Sequence, residues 1–280
     1  MEFWGTILVS ASIAAIASIG LFLQIRSGQL NAGMAVFVGV GAYSSGALSL
    51  NAGLPPWLGI CCAVLLGAVF GAVFSAITLR LHHWFFAIAT LTLSVAAVSA
   101  VGRLDFIGGP LGLVGIPLVN SPWPPVLALV VCFVTALLFD RSRFGLAVRA
   151  VGDDEALAGM FGVRVRRLRV GVFALGAGMA ALSGALSAHR FGVYQPSDLG
   201  VQASLLLFVY VIIGGRDNVA GPVLGTFFLF IFPDLVPMPP EAQQLIFGAM
   251  MTLVAVVFPG GLARVVEWFG GLTRRPKLEG

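Results

Sequence analysis

The chain has 280 residues, of which 59% are hydrophobic and 10% charged, with a net charge of +4. Its apolar residues gather into stretches of bilayer-crossing length that leave no soluble domain over, and its arginines sit at the edges of those stretches, where membrane topology accounts for them without nucleic acid. Cys61, Cys62 and Cys132 all lie inside apolar runs, with no spacing for a metal or a redox pair, and are expected as core- or lipid-facing filler.

An apolar run of ~20 residues crosses the hydrocarbon core as a helix. About nine such runs follow one another: 3–25, 30–50, 57–79, 84–101, 124–140, 170–188, 201–213, 219–236 and 244–258. The expected fold is all-α, a polytopic transmembrane helical bundle forming a single domain over residues 1–280. The first run has no basic residue before it, Glu2 is acidic, and Arg26 follows the apolar stretch. This pattern predicts a retained first span with its N-terminus outside rather than a cleaved leader.

The second run opens with Ser27-Gly28-Gln29-Leu30-Asn31 and continues through Gly33, Gly39, Gly41 and Gly46, which predicts an interrupted or kinked helix. Irregular backbone at membrane depth persists where protein or water satisfies the freed polar groups, and interrupted helices mark solute pathways in transporters. Gln29, Asn31, Gly39, Gly41 and Tyr43 are the candidate pathway residues, with tight helix packing as the alternative for any one glycine. On the pathway reading, Gly41→Leu impairs transport and leaves assembly intact.

The third run carries Gly67 and Gly71 at helical spacing, a stripe that lets helices approach closely. Between the fourth and fifth runs, residues Phe106 to Pro117 are too rich in glycine and proline for a helix and predict a structured, outward-facing loop.

The polar stretch 140–169 holds Arg141, Arg143, Arg149, Arg164, Arg166, Arg167 and Arg169, which places it in the cytoplasm. Alternation then puts Arg26, Arg80, Arg216, Arg264, Arg274, Arg275 and Lys277 on the same side and leaves Arg103 and Arg190 outside, fourteen basic residues against two. The C-terminus is accordingly inside. Within the loop, residues 153–162 predict a short helix. Asp153 caps it, Asp154 and Glu155 favour its positive dipole end, and Gly162 stops it. Leu157, Met160 and Phe161 form an apolar face that the loop cannot bury. A groove in a soluble partner and the membrane surface both remain open as its cover.

The sixth run places Gly176, Ala180, Gly184 and Ala188 at every fourth position. Gly214 to Pro222 reads as an inside turn, with Asp217 and Asn218 tolerating turn geometry and Pro222 suiting the first turn of the following helix.

Few ionisable residues lie deep in the runs, whereas moving protons requires titratable groups there. Asp234 is expected at a helix terminus, and His82, His83 and His189 at interfaces, none of them at metal-ligand spacing. The one lysine, Lys277, lies between Pro276 and Leu278, so no phosphate-cradling Gly-Lys-Ser/Thr loop exists and any ATP is hydrolysed by another polypeptide. There is no Gly-x-Ser-x-Gly elbow and no pair of carboxylates placed for catalysis, and no enzyme is expected.

Together these segments resemble the permease subunit of ATP-binding cassette importers for branched-chain amino acids, the second of the two paired permeases, over nearly the whole chain. Ser27-Gly28-Gln29 with Gly33, Ala35, Phe37, Gly39, Gly41, Ala42 and Tyr43 is similar to the family's S-G-Q-x-S-L-G-x-A-x-F-x-G-I-G-A-Y. The Gly108 to Pro117 loop resembles T-G-G-x-x-G-L-x-G-I-P, and Gly214-Gly215 with Gly221-Pro222 and Gly225 resembles G-G-x-G-x-x-x-G-P-x-x-G. Arg149-Ala150, Asp153-Asp154-Glu155 and Gly162 resemble the cytoplasmic R-A-I-R-E-D-E-x-A-A-x-x-M-G-I. Asn31-Ala32 stand where Ser-Leu is usual, Gly152 where Arg is usual and Asp217 where Gly is usual. Glu155 to Gly162 is one residue longer than in the wider importer motif E-A-A-x-x-x-G.

The resemblance implies a complex in the bacterial cytoplasmic (inner) membrane: two permeases, two cytoplasmic ATPases holding ATP and Mg, and a periplasmic solute-binding protein. This chain then carries no cofactor. It supplies half of an alternating-access pathway and one coupling helix, with Arg149, Asp153, Asp154, Glu155, Leu157, Met160, Phe161 and Gly162 as coupling residues. The implied solutes are leucine, isoleucine and valine. Sibling importers of urea, short amides or other small solutes share these motifs and remain the alternative. A carrier driven by an ion gradient is the rival from another class, which the shortage of intramembrane carboxylates opposes.

Overall fold

The computed structural model describes residues 2–81, 83–119, 121–215, 218–235 and 248. Six of the described helices are long and apolar enough to cross a bilayer: α1 (Glu2–Arg26), α2 (Met34–Asn51), α3 (Pro56–Thr78), α4 (His83–Val101), α5 (Trp123–Arg141) and α8 (Val165–Phe191). Between α5 and α8 lie α6 (Arg143–Asp153) and the single-turn α7 (Glu155–Met160), and two further apolar helices follow, α9 (Val201–Gly214) and α10 (Ala220–Leu235). The described residues thus form an all-α bundle with one two-stranded ribbon, β1 (Leu113–Val114) paired antiparallel with β2 (Val193–Tyr194). All of the expected ninth span except Gly248 lies outside the described residues, as do His82, Arg216, Asp217, Arg264, Arg274, Arg275 and Lys277.

The expected seventh span is present as α9, but its 14 residues reach only ~21 Å, short of a ~30 Å hydrocarbon core. A 3₁₀ turn over Pro196–Leu199 delays its start, and Gly215, at φ +98°, ends it. α9 packs against α10 at a glycine crossing, where a Cβ on Gly225 would overlap the Tyr210 carbonyl and one on Gly214 the Gly221 carbonyl.

α8 is the axis of the bundle, because its small residues let three helices reach its backbone. Gly67 and Gly71 of α3 pack on Ala181 and Ala177, Gly20 of α1 on Gly176, and Gly184 on Val38 of α2. The stripe expected on the third run therefore faces Ala177 and Ala181 of α8, whereas Gly176 and Gly184 of the stripe expected on the sixth run meet α1 and α2. In lipid, where apolar side chains gain nothing by leaving their surroundings, this close backbone approach is what holds helices together. Beside it Phe37, Phe74, Phe86 and Phe173 form a cluster with ring centroids 5.3–6.2 Å apart.

Glycine does not break α2. The helix is continuous, and Gly39, Gly41 and Gly46 serve packing; the irregular backbone lies earlier, at residues 27–33. Buried amides satisfy that junction: Gln24 Nε2 donates to the Phe173 carbonyl at 3.2 Å, Asn31 Nδ2 to Gln24 Oε1 at 2.8 Å, and Gln29 Nε2 to Ser75 Oγ at 3.0 Å.

The two ends of the bundle are built differently. At one end Asp140 pairs with Arg26 at 3.2 Å and Arg149 at 3.7 Å, and Arg169 with Glu155 at 2.6 Å. At the other end β1 and β2 fasten the glycine-rich loop to the end of α8. His189, expected at an interface, is 1% exposed there. Its Nδ1 lies 2.9 Å from the Pro117 carbonyl and its Nε2 2.9 Å from Ser45 Oγ, so it ties that loop to α2.

Candidate functional site: a cavity and an exposed apolar surface

A cavity of about 570 Å³ opens between α1, α2, α8, the β2 segment, α9 and α10, within the size range of small-molecule sites. On α1 it is lined by Ser10, Ile13, Ala14 and Ala17, one helical face at i, i+3, i+4 and i+7. Ala35 and Val38 contribute from α2, Leu206 and Leu207 from α9, and Phe230 from α10. Polar groups concentrate toward the ribbon end, at Ser187, Tyr194, Gln195 and Asp198. Ser183 also lines the cavity, but its hydroxyl donates to the Ile13 carbonyl at 2.7 Å.

None of the five residues singled out in the second run is among those lining this cavity. Gln29 and Asn31 are held in the hydrogen bonds of the α1–α2 junction. A Cβ on Gly39 would overlap the Leu199 side chain, and one on Gly41 the Ala181 carbonyl. Tyr43 is buried, donates its hydroxyl to the Tyr194 carbonyl at 3.3 Å and meets the Tyr194 ring edge-on. The helix that carries Gly39, Gly41 and Tyr43 does reach the cavity, through Ala35 and Val38. Neither Ser10 nor Asp198 was singled out in the sequence; the signals that mark them are a serine within an apolar run and the Pro196-Ser197-Asp198 break before α9.

This placement changes the expectation for Gly41→Leu. Because the obstacle is the backbone of α8, the substitution is expected to exceed the ~1–3 kcal/mol of ordinary overpacking. Thermal unfolding of the purified permease should show a lowered midpoint and a reduced yield. Wild-type thermal stability would show that α2 and α8 separate freely at this point.

At the opposite end, the predicted helix over 153–162 divides. Residues Arg149 to Asp153 close α6, whose first turn Ser142 caps by accepting from Gly145 N at 3.2 Å. Asp154 rather than Asp153 caps α7, its Oδ1 accepting from Leu157 N at 2.9 Å, because Asp153 still belongs to α6 and the chain turns extended only at Asp154. Gly162 takes φ +81° just beyond α7, the left-handed stop that glycine adopts without strain. Met160 and Phe161 are 83% and 80% exposed and Leu157 is 50% exposed, while Ala158 points inward. The apolar face is therefore bare. Glu155 anchors the turn to Arg169 of α8, and Arg169 Nε donates to the Ser27 carbonyl at 3.3 Å.

Comparison with known proteins adds three findings. The model of the family described as branched-chain amino acid transport system / permease component matches residues 4–255. The high-affinity branched-chain amino acid transport system permease protein LivM of Escherichia coli (strain K12) is 24% identical over 92% of this chain and 70% of its own length, and LivH of the same organism 31% identical over 43% and 40%. The nucleoside ABC transporter permease protein NupC of Lactococcus lactis is 25% identical over 78% of this chain and 76% of its own. No solved structure matches the chain.

Proposed function

We propose, from the premise that this chain belongs to the family of permease components of branched-chain amino acid transport systems, that it is one permease of an ATP-driven, binding-protein-dependent importer of leucine, isoleucine and valine. The family match over residues 4–255 carries this reading. The chain pairs with a second permease in the bacterial inner membrane. A periplasmic binding protein delivers solute to the ribbon end, and one of two cytoplasmic ATPases, which hold ATP and Mg, docks on α7. ATP-driven closure of the ATPases moves α6 and α7, which are fastened to α1 and α8, and the cavity between α1, α2, α9 and α10 is exposed to each side in turn. Gln29, Asn31, Gly39, Gly41 and Tyr43 shape that pathway from behind its wall.

The test is uptake into proteoliposomes holding both permeases and the ATPases, with binding protein added outside. ATP-dependent accumulation of leucine is the expected result. Gradient-driven uptake by this chain alone would overturn it. The likeness to a nucleoside permease favours a sibling importer as the second reading, and binding of nucleosides rather than branched-chain amino acids by the cognate binding protein would establish it.

Orientation follows from the distribution of basic residues. Cysteine at Met160, which is more accessible than the buried Ala158, should react only from the cytoplasm, and cysteine at the exposed Leu111 only from outside. Labelling of both from one face would overturn the N-out, C-in arrangement.

A further inference from the structure

We propose that Asp198 receives the ammonium group of an amphiphilic solute whose apolar tail lies in the cavity between α1, α2, α9 and α10, an inference that rests on the reading of that cavity as the solute path. Among the described residues lining it, Asp198 is the one carboxylate, and none is a lysine, arginine or histidine. Most of the remaining wall is made of alanine, valine, leucine, isoleucine and phenylalanine side chains, with Ser10, Ser183 and Tyr210 among them, so one charge faces a largely apolar space.

The carboxylate is oriented rather than free to swing. It sits in the 3₁₀ turn Pro196–Leu199, where Asp198 Oδ2 accepts from Gln195 N at 3.1 Å. An ionised carboxylate has about four acceptor positions, and this bond uses one. Among the described residues no salt bridge ends on Asp198. Its charge is felt locally: burial pushes the Tyr194 phenol above its ordinary range, and Asp198 pushes it further in the same direction. Asp198 is exposed at the mouth of a largely apolar recess, where its negative charge draws cations.

Each solute class meets this arrangement differently. A primary ammonium donates to the open positions of the carboxylate while its alkyl tail covers the apolar wall. A neutral solute of the same shape gains the tail contacts alone, and an anionic head is repelled. The cavity thus favours small amines with apolar tails over amides, urea and nucleosides, which carry no ammonium; an amino acid gains the same ammonium contact, offset in part by repulsion of its own carboxylate.

The experiment uses the paired permeases in nanodiscs and calorimetric titration with two probes of equal shape, 3-methylbutylamine and 3-methylbutanol, with empty nanodiscs as the blank. Wild type should bind the amine more tightly. Asp198→Asn keeps an acceptor for Gln195 N and removes the charge, and should weaken amine binding about tenfold or more with alcohol binding unchanged. Asp198→Glu should restore the preference for the amine. Equal affinity for both probes in wild type, or unaltered amine affinity in Asp198→Asn, would overturn the proposal. So would parallel loss of both probes that Asp198→Glu does not relieve, since the residue would then be serving the turn. ATP-driven leucine uptake is scored separately: its absence in wild type removes the importer reading, whereas discrimination between amine and alcohol turns on Asp198.

Discussion

Phe161→Glu is expected to strip the ATPases from the permease without disturbing the bundle. Phe161 is 80% exposed and Met160 83% exposed, so the folded chain loses almost no contact when the ring is removed. Substitutions of exposed side chains usually change stability by no more than ~0.5 kcal/mol. The docked complex is different. Covering each such side chain contributes ~1.5–3 kcal/mol, and a glutamate in its place adds the cost of burying an unpaired charge. Together these effects amount to several powers of ten in affinity. The variant should insert and pair with its sister permease, yet lose co-purification with the ATPases and the ATP hydrolysis that solute-loaded binding protein stimulates. Full stimulation at wild-type abundance would show that Leu157, Met160 and Phe161 rest on lipid and that force enters through another cytoplasmic segment.

The parts of this fold that were legible in the sequence are those whose cause is local. Small residues at every fourth position announced close helix contacts, Gly67 and Gly71 with α8 and Gly176 and Gly184 with α1 and α2, because close approach needs no partner to be named, only a face without side chains. The bare face of α7 was legible for the same reason, as three apolar residues within one turn. The position of the cap was displaced by one residue because α6 runs on through Asp153. That helix went unrecognised because its buried positions, Gly145, Val148 and Val151, alternate with arginines in a stretch that reads as polar loop. What stayed hidden depends on contacts distant along the chain. The β1–β2 ribbon joins residues about eighty apart, His189 is buried only because Ser45 and Pro117 come to it, and the cavity draws its lining from six elements. The glycines of α2 show the limit from the other side. Sequence marked them as unusual, but either an interrupted helix or a packed one accounts for that composition, and only the proximity of the α8 backbone distinguishes the two.

Glu155→Ala is expected to weaken the link between α7 and the bundle, and to do so more than removal of the whole ion pair. The Arg169 side chain is 9% exposed and that of Glu155 53% exposed, so the arginine bears most of the cost of burial. With Glu155 gone, the guanidinium stays buried against the Ser27 carbonyl, and its Nη2, already without a hydrogen-bond partner among the described residues and beside a cavity of about 20 Å³, has no described salt-bridge partner left to offset desolvation. Breaking a fully buried pair costs ~3–5 kcal/mol; with one partner half in solvent, ~1–3 kcal/mol is the expectation here. Adding Arg169→Met removes the orphaned charge and keeps much of the volume, so the double variant should unfold at a higher temperature than Glu155→Ala alone. Function should not recover with stability. Arg169 joins α7 and α8 to the α1–α2 junction through Ser27, so the double variant, stable but unlinked, should spend more ATP for each solute imported than wild type. Additive effects of the two substitutions on the unfolding temperature would show that the residues do not interact energetically. A wild-type ratio of ATP to solute in the stable double variant would assign transmission to the Arg26, Asp140 and Arg149 contacts, which fasten α6 to the same end of α1.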